Sequence, residues 1–263
     1  MKMPPLDAQF AAAEGGQSTT NVPLDSRKTG RGRLDLALIL KTGAELIEDE
    51  SIHQLSMRNL ASRLGVQAMS LYRYVPSRDV LIDGIVELVL EDLEADPEVH
   101  TEPIDGWEDF VRRLSHGFRR LAHQHPQIFP VIATRPSTAP WIRPPMRSLT
   151  WIERFLKALR DSGFSEEATV SAYRAYSSFL LGHLLLELAG EDVDISDFTT
   201  DARAARKGAN VSNENTATGN DLSEYPTIME LESRLKENRS SEEFECALEM
   251  TIKLLAGLRE QQN

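Results

Sequence analysis

This chain predicts an all-α fold in two parts, and three features carry that reading. Apolar residues recur three and four positions apart along most of the chain, the spacing of one helix face. No stretch alternates apolar and polar residues in the period of two that a half-buried strand needs. Aromatic residues make up only 6% of the chain and charged residues 27%, a balance that suits helices better than sheets. At 263 residues, 41% of them hydrophobic, the chain has room for one or two domains with a real core.

Residues 1–33 are rich in Gly, Pro, Ala, Ser and Thr and lack periodicity, so they read as a disordered arm. Its end, Arg27-Lys28-Thr29-Gly30-Arg31-Gly32-Arg33, is basic. Such arms can follow phosphates or enter a minor groove. From Leu34 a first helix presents Leu36, Leu40, Gly43 and Ile47 on one face, with Ala37 and Ala44 beside it. Ser56 then stands ahead of MRNLASRLG. A serine hydroxyl accepts a hydrogen bond from a free backbone N–H at a helix start, and Gly65 suits the left-handed position that ends a helix. The spacing predicts a helix over 57–64 with Leu60, Ala61 and Leu64 inward. Val66-Gln67-Ala68 leads into a second short helix to about Tyr74, ended by Pro76. Ser77 caps a longer helix to about Glu94, with Leu81, Ile85, Leu88 and Val89 on its buried face.

After Pro97 come further helical stripes. Trp107, Phe110, Val111, Leu114, Phe118 and Leu121 mark a helix over 105–124, stopped by His125-Pro126. IFPVIA reads as a short turn, followed by the Pro-rich loop TRPSTAPWIRPP. Trp151, Ile152, Phe155, Leu156 and Leu159 mark the next helix, to Ser162-Gly163. Ser165 opens the longest helix, to about Leu188. Residues 190–222 read as a flexible polar loop, too long for an ordinary connection. A short helix follows at 227–236. A last helix, capped by Ser240 or Ser241, buries Phe244, Leu248, Ile252, Leu255 and Leu258. The domain plan is therefore an arm at 1–33, a first domain at 34–95 and a second at 96–263.

Charge and cysteine use narrow the classes of function. The net charge is −12, which alone argues weakly against nucleic acid. It is unevenly spread: residues 1–80 hold ten basic and nine acidic residues, and the remainder 19 and 32. Between Glu50 and Asp79 there is no acid, but Arg58, Arg63, Arg73 and Arg78 are there. A single cysteine, Cys246, cannot form an internal disulfide and reads as a small apolar residue of a reduced, cytoplasmic chain. Residues 1–26 hold no apolar stretch long enough for a signal sequence, so none is expected there. The chain's longest apolar stretch, FLLGHLLLELAG from Phe179, is broken by His183 and Glu187, so no membrane span is expected.

Two short helices joined by a glycine turn, the first packed on a longer helix, read as a helix-turn-helix. In that motif the second helix enters the major groove of DNA. Here it carries MSLYRYVPSR. Leu71 must face inward, with Val66 and Val75 at the ends, which leaves Ala68, Met69, Ser70, Tyr72, Arg73 and Tyr74 largely outside. Tyrosine hydroxyls and guanidinium groups bind phosphates and base edges, and an acid among them would repel the DNA backbone.

LSMRNLASRLGVQAMSLYRYVPSRDVLID closely resembles the DNA-binding domain of the tetracycline-repressor (TetR) family. It carries the family's "RxLAxxLGV" helix, its "LYxxV" recognition helix and the basic residue of "SR". WEDFVRRLSHGFRRLAHQHP, TRP at 134–136, GFS at 163–165, FLLGHLLLE at 179–187 and FECALEMTIKLLAGL resemble that family's tetracycline-repressor subclass. The resemblance covers about 34 to 260. It implies a homodimer with an N-terminal three-helix DNA-binding domain and a C-terminal helical domain for ligand binding and dimerisation. The implied function is a ligand-responsive repressor of a palindromic operator. Carried over by position, the DNA contacts are Arg58, Ala68, Met69, Ser70, Tyr72, Arg73, Tyr74 and Arg78, with Met57 near the phosphate backbone. Ala68 and Met69 suit apolar contact with a thymine methyl.

The same resemblance puts Val131 where the tetracycline repressor has a magnesium-ligating histidine. Glu94 stands at its drug-binding histidine, and the apolar Leu186, with Glu187 next to it, at a glutamate of the long helix that lies behind the ligands. Phe118 matches a pocket aromatic. This implies an apolar or aromatic effector with no metal cofactor. The candidate effector residues are Trp107, Phe110, Leu114, Phe118, Val131, Trp151, Phe155, Phe179 and His183. All but Val131 also fit a plain helical core; for His183 the core is the commoner case, with a ligand contact or the dimer face as the functional ones. Gly182 suits close helix approach in a four-helix dimer interface. His116, His123 and His125 lack the spacing of a helical zinc site. An enzyme would need a nucleophile with its base, a phosphate loop or metal ligands, and GxSxG, GxGxxG, Walker and HExxH motifs are absent. The alternative reading is a helical partner- or ligand-binding protein without sequence-specific DNA binding.

Overall fold

A computed structural model describes residues 34–99, 102–135, 141–142, 148–190 and 225–260. The arm at 1–33 and the loop at 190–222 (save Gly190) lie outside the described residues. Those residues form ten α-helices and one 3-10 turn, with no strand. They divide into two compact units: residues up to Val99 with Arg120–Ile132, and His100–Arg119 with Ala133 onward.

In the first unit, α1 (Leu36–Asp49) starts where Asp35 accepts the Leu38 N–H at 2.8 Å. A 3-10 turn (Ile52–Gln54) leads to α2 (Met57–Leu64), α3 (Ala68–Leu71) and α4 (Arg78–Ala95). Ser56 and Ser77 cap α2 and α4 through their hydroxyls. Met57, expected near DNA phosphates, is instead buried, because it is the first residue of α2 to face α1 and the rest of the core. The inward face of α1 includes Ile39 and Leu46, while Leu36 is half-exposed. α1 and α4 cross at a notch of two glycines. A Cβ on Gly43 would stand 2.7 Å from Ile85 Cδ1, and one on Gly84 would stand 2.7 Å from Leu40 Cδ2. α4 buries Leu81, Ile82, Ile85, Val86, Val89, Leu90 and Leu93, and Leu88 is only half-buried. Burial on more than one side explains why no single stripe describes this helix.

Gly65 has φ 67°, and its N–H closes α2 onto the Ala61 and Ser62 carbonyls. A side chain in that left-handed region is strained against the following carbonyl. Gly65→Ala is therefore expected to cost about 1 kcal/mol, read as a lower urea midpoint at unchanged slope.

His125 sits at a second junction of this unit. Its Nε2 lies 3.3 Å from Asp92 Oδ2 on α4, and its Nδ1 lies 3.7 Å from Glu48 Oε1 on α1. Glu48 Oε2 accepts the Gln127 N–H at 3.1 Å. The Glu48 carboxylate first, then Asp92, raises the His125 pKa above its ordinary value against the opposing effect of burial. A histidine whose folded pKa is raised stabilises the fold fully below its unfolded pKa, about 6.5, and loses that contribution as pH rises through the folded value. The stability gap between the native protein and His125→Gln is thus expected to shrink as pH is raised from about 6.5. Urea titrations of both proteins at several pH values measure it, and a pH-independent gap would contradict the assignment.

In the second unit, α5 (Trp107–Gln124, of which the residues to Arg119 belong here) lies with α7 (Leu149–Asp161), α8 (Glu166–Gly190) and α10 (Ser240–Glu260). The segment IFPVIA is not a turn. Residues Phe129–Thr134, of which those to Ile132 belong to the first unit, form the short helix α6, since a proline near a helix start costs no hydrogen bond. α8 packs on both α7 and α10. Gly163, at φ 88°, closes the turn after α7, and the Ser165 hydroxyl caps α8 through the Ala168 N–H. α9 (Pro226–Leu235) buries none of its residues. Leu258 on α10 is half-exposed and Cys246, expected as a small apolar residue, is exposed, because the inward face of this helix runs through Phe244, Leu248, Ile252 and Leu255.

Polar pairs tie the helices of this unit together. Arg112 meets Glu249 with two hydrogen bonds, 2.6 and 3.0 Å. Arg119 grips Glu187 at 2.6 Å, donates to Ser241 at 2.9 Å and lies over the Phe244 ring at 4.9 Å. Ser115 Oγ donates to the Val111 carbonyl and stands 3.1 Å from Tyr176 Oη, whose pKa burial pushes up. No helix among the described residues is long and apolar enough to cross a membrane.

Candidate nucleic-acid interface

The face of interest is built by local rules. Ser56 starts α2 and Gly65 stops it. The chain then turns through Val66-Gln67 into α3 within three residues. Leu71 and Val75 are fully buried and anchor this second helix to the unit. α3 is shorter than the expected run to Tyr74. The Leu71 carbonyl receives both the Tyr74 and Val75 N–H groups, so Tyr72–Tyr74 form a turn. Pro76 disfavours helical geometry at Val75, so the chain does not continue as a helix beyond this turn.

Of the eight residues read as DNA contacts, five sit on or directly after α3 with side chains outward to different degrees. Met69 is 75% exposed and Tyr72 44%, and Arg73 is exposed beside them. Ala68 and Ser70 are half-buried. Arg58, on the first turn of α2, is exposed. The remaining two are engaged internally. Tyr74 Oη donates to the Leu34 carbonyl at 2.8 Å. Arg78 donates from Nε to the Leu55 carbonyl and from Nη2 to the Ile52 carbonyl, each at 2.7 Å.

The acid-free stretch is also less positive in space than in sequence. Arg63 pairs with Asp49 and Glu50, which lie just ahead of that stretch. Its pKa is raised chiefly by the hydrogen bond to Asp49. Among the described residues, Arg58 and Arg73 are the arginines of this stretch whose donors are uncommitted. Two guanidinium groups, a tyrosine and an apolar methionine, exposed on α2, α3 and the turn after it, are groups that can hold phosphates and read base edges.

The effector candidates distribute differently. Trp107, Phe110, Leu114, Phe118, Trp151 and Phe155 are buried in the second unit. They pack as core aromatics do: Phe118 on Trp151 edge-on at 6.3 Å and Phe155 stacked on Tyr176 at 4.6 Å. The Nε1 atoms of Trp107 and Trp151 are buried without an acceptor among the described residues. Phe179 and His183 are half-buried and cluster with Phe244. Val131 is buried in the first unit. Sequence reasoning missed a groove of about 550 Å³ lined by Trp141, Leu149, Ile152, Leu156, Val170 and Tyr173, together with Glu153 and Arg174. Trp141, in the Pro-rich loop, was the one available signal, and it is 80% exposed.

A capped helix, a glycine turn and a short outward-facing helix on a longer support define a helix-turn-helix protein. Residues 39–85 match the family described as "Bacterial regulatory proteins, tetR family", and residues 100–262 match "Tetracyclin repressor-like, C-terminal domain". The chain belongs to the tetR family. It is 26% identical over 179 residues to the HTH-type transcriptional repressor DrrR1 of Streptomyces coeruleorubidus, covering 67% of this chain and 63% of that one. It is 30% identical over 162 residues to the class C tetracycline repressor protein of Escherichia coli, covering 60% of this chain and 68% of that one. Among solved structures, apo ActR from Streptomyces coelicolor has the same fold, with a TM-score of 0.63 at 21% identity over 89% of this chain and all of that one.

Proposed function

We propose that this protein is a ligand-responsive transcriptional repressor of the cytoplasm, a binding protein and not an enzyme. It binds a palindromic DNA operator as a homodimer and is released by a small-molecule effector. Residues 34–95 act as the DNA-binding domain with its connecting helix, and 96–263 as the effector-binding and dimerisation domain. The observation that carries the reading is the exposure of Arg58, Met69, Tyr72 and Arg73, all drawn from a stretch of sequence without acids in an otherwise acidic chain. Its membership of the tetR family supports the same reading.

Dimerisation is supported by the outer faces of α8 and α10. Leu186, Met250 and Leu254 stand exposed there, and nothing lies within 4 Å of a Cβ on Gly182 or Gly257. A second copy laid on these faces would cover the leucines and methionine and use the glycines for close approach. For the effector, the groove beside Trp141 offers a mostly apolar lining with one guanidinium, that of Arg174, and one carboxylate, that of Glu153. A flat aromatic ligand with an anionic group fits that combination. ActR, which shares the fold, has been solved with actinorhodin, and the TetR protein of Acinetobacter baumannii with minocycline. No metal is invoked. The effector releases DNA only insofar as it binds the off-DNA state more tightly.

The test is selection from a pool of random duplex DNA by the full-length protein at physiological salt. One palindrome is the expected product. Recovery of no sequence, with weak binding that vanishes as salt rises, would instead indicate a helical partner- or ligand-binding protein.

A further inference from the structure

Arg78 stands at a position where the family resemblance implies a DNA contact, and it is exposed, but its guanidinium is engaged by backbone carbonyls of the protein. It is the first residue of α4, just after the Ser77 cap. Its fork closes on two carbonyls of the Ile52–Leu55 turn, at 2.7 Å each. That turn needs holding. Ser51, at its start, has φ 146° and ψ 168°, a region that residues other than glycine rarely adopt. Such a conformation persists only when its surroundings over-determine it. A second side-chain clasp on the turn is Asn59, whose Nδ2 donates to the Gln54 carbonyl at 2.9 Å. The turn runs directly into buried Leu55, the Ser56 cap and the first turn of α2, which carries Arg58.

We propose that Arg78 is a positioning residue for DNA binding. It fixes the Ile52–Leu55 turn, and through it the start of α2, and does not serve as a phosphate ligand. The proposal rests on the operator-binding reading above. Two carbonyls held by one planar fork need an arginine, because a lysine ammonium is a single point charge on a flexible stem. A phosphate would accept either side chain.

The experiment compares the full-length protein with Arg78→Lys and Arg78→Ala on the selected operator across a salt series. It is run at a temperature where circular dichroism shows each variant fully folded. Both variants are expected to lose affinity about tenfold or more, the scale of losing charge-assisted hydrogen bonds. Arg78→Lys should keep the wild-type salt slope. Near-native binding by Arg78→Lys, with a slope reduced by about one in Arg78→Ala, is the signature of a phosphate contact and would overturn the proposal. A lowered melting temperature with native affinity in both variants would reduce Arg78 to a stabilising residue and overturn it equally. A measurement on the wild type needs neither variant folding nor an operator. The Arg78 Nε–H resonance should be protected from exchange in the free protein, and fast exchange there would refute the geometry. With operator present, the resonance should stay in place.

Discussion

Arg73→Ala is expected to lower operator affinity by roughly 10- to 100-fold, the value of one good bidentate contact to a base edge. The argument is one of available donors. Arg63 is committed to Asp49 and Glu50, and Arg78 to two backbone carbonyls. Arg73 is exposed on the turn that closes α3, next to Tyr72. Fluorescence anisotropy across a salt series separates its two possible roles. A base contact shows as relaxed sequence preference at one operator position. A phosphate contact shows as uniform weakening with the salt slope reduced by about one. Unchanged affinity would remove Arg73 from the interface.

Glu187→Ala is expected to destabilise the protein by about 3 kcal/mol, because it leaves the Arg119 guanidinium largely buried without its counter-charge. The Glu187 side chain is only 3% exposed and that of Arg119 18%, so solvent screens the pair little. Arg119 also holds Ser241 and the Phe244 ring, and an uncompensated charge there would loosen the start of α10. Removing both charges in Arg119→Met with Glu187→Leu is expected to restore much of the loss, as apolar replacements of buried ion pairs commonly do. Chemical denaturation of the two single variants and the double variant gives the coupling directly. A single variant as stable as the native protein would show that the pair contributes nothing.

The parts of the fold that follow from short-range chemistry were legible in the sequence. Ser56, Gly65, Ser77 and Ser165 delimit their helices by hydroxyl caps or left-handed geometry that a few residues determine. What depends on distant partners was not. The Arg78 and Tyr74 donors find carbonyls 23 to 40 positions away in the chain, so the sequence leaves them looking free. Leu88 and Leu258 sit at good apolar spacing yet are half-exposed, because tertiary packing decides which flank of a broad stripe is covered. The aromatics of α5 and α7 could not be told from pocket lining, since core and cavity wall use the same residues at the same helical spacing. The groove beside Trp141 draws on a loop, α7 and α8, and no periodicity links those three segments.

The central claim is that the outward face of α3 reads DNA sequence. The most direct measurement is the affinity of the full-length protein for its selected palindrome and for a scrambled duplex of equal length and composition, at physiological salt. A specific complex at least about 10³-fold tighter than the scrambled one is the expected result. Equal affinities, both lost together as salt rises, would mean that the exposed arginines only attract phosphate and that the protein does not recognise an operator.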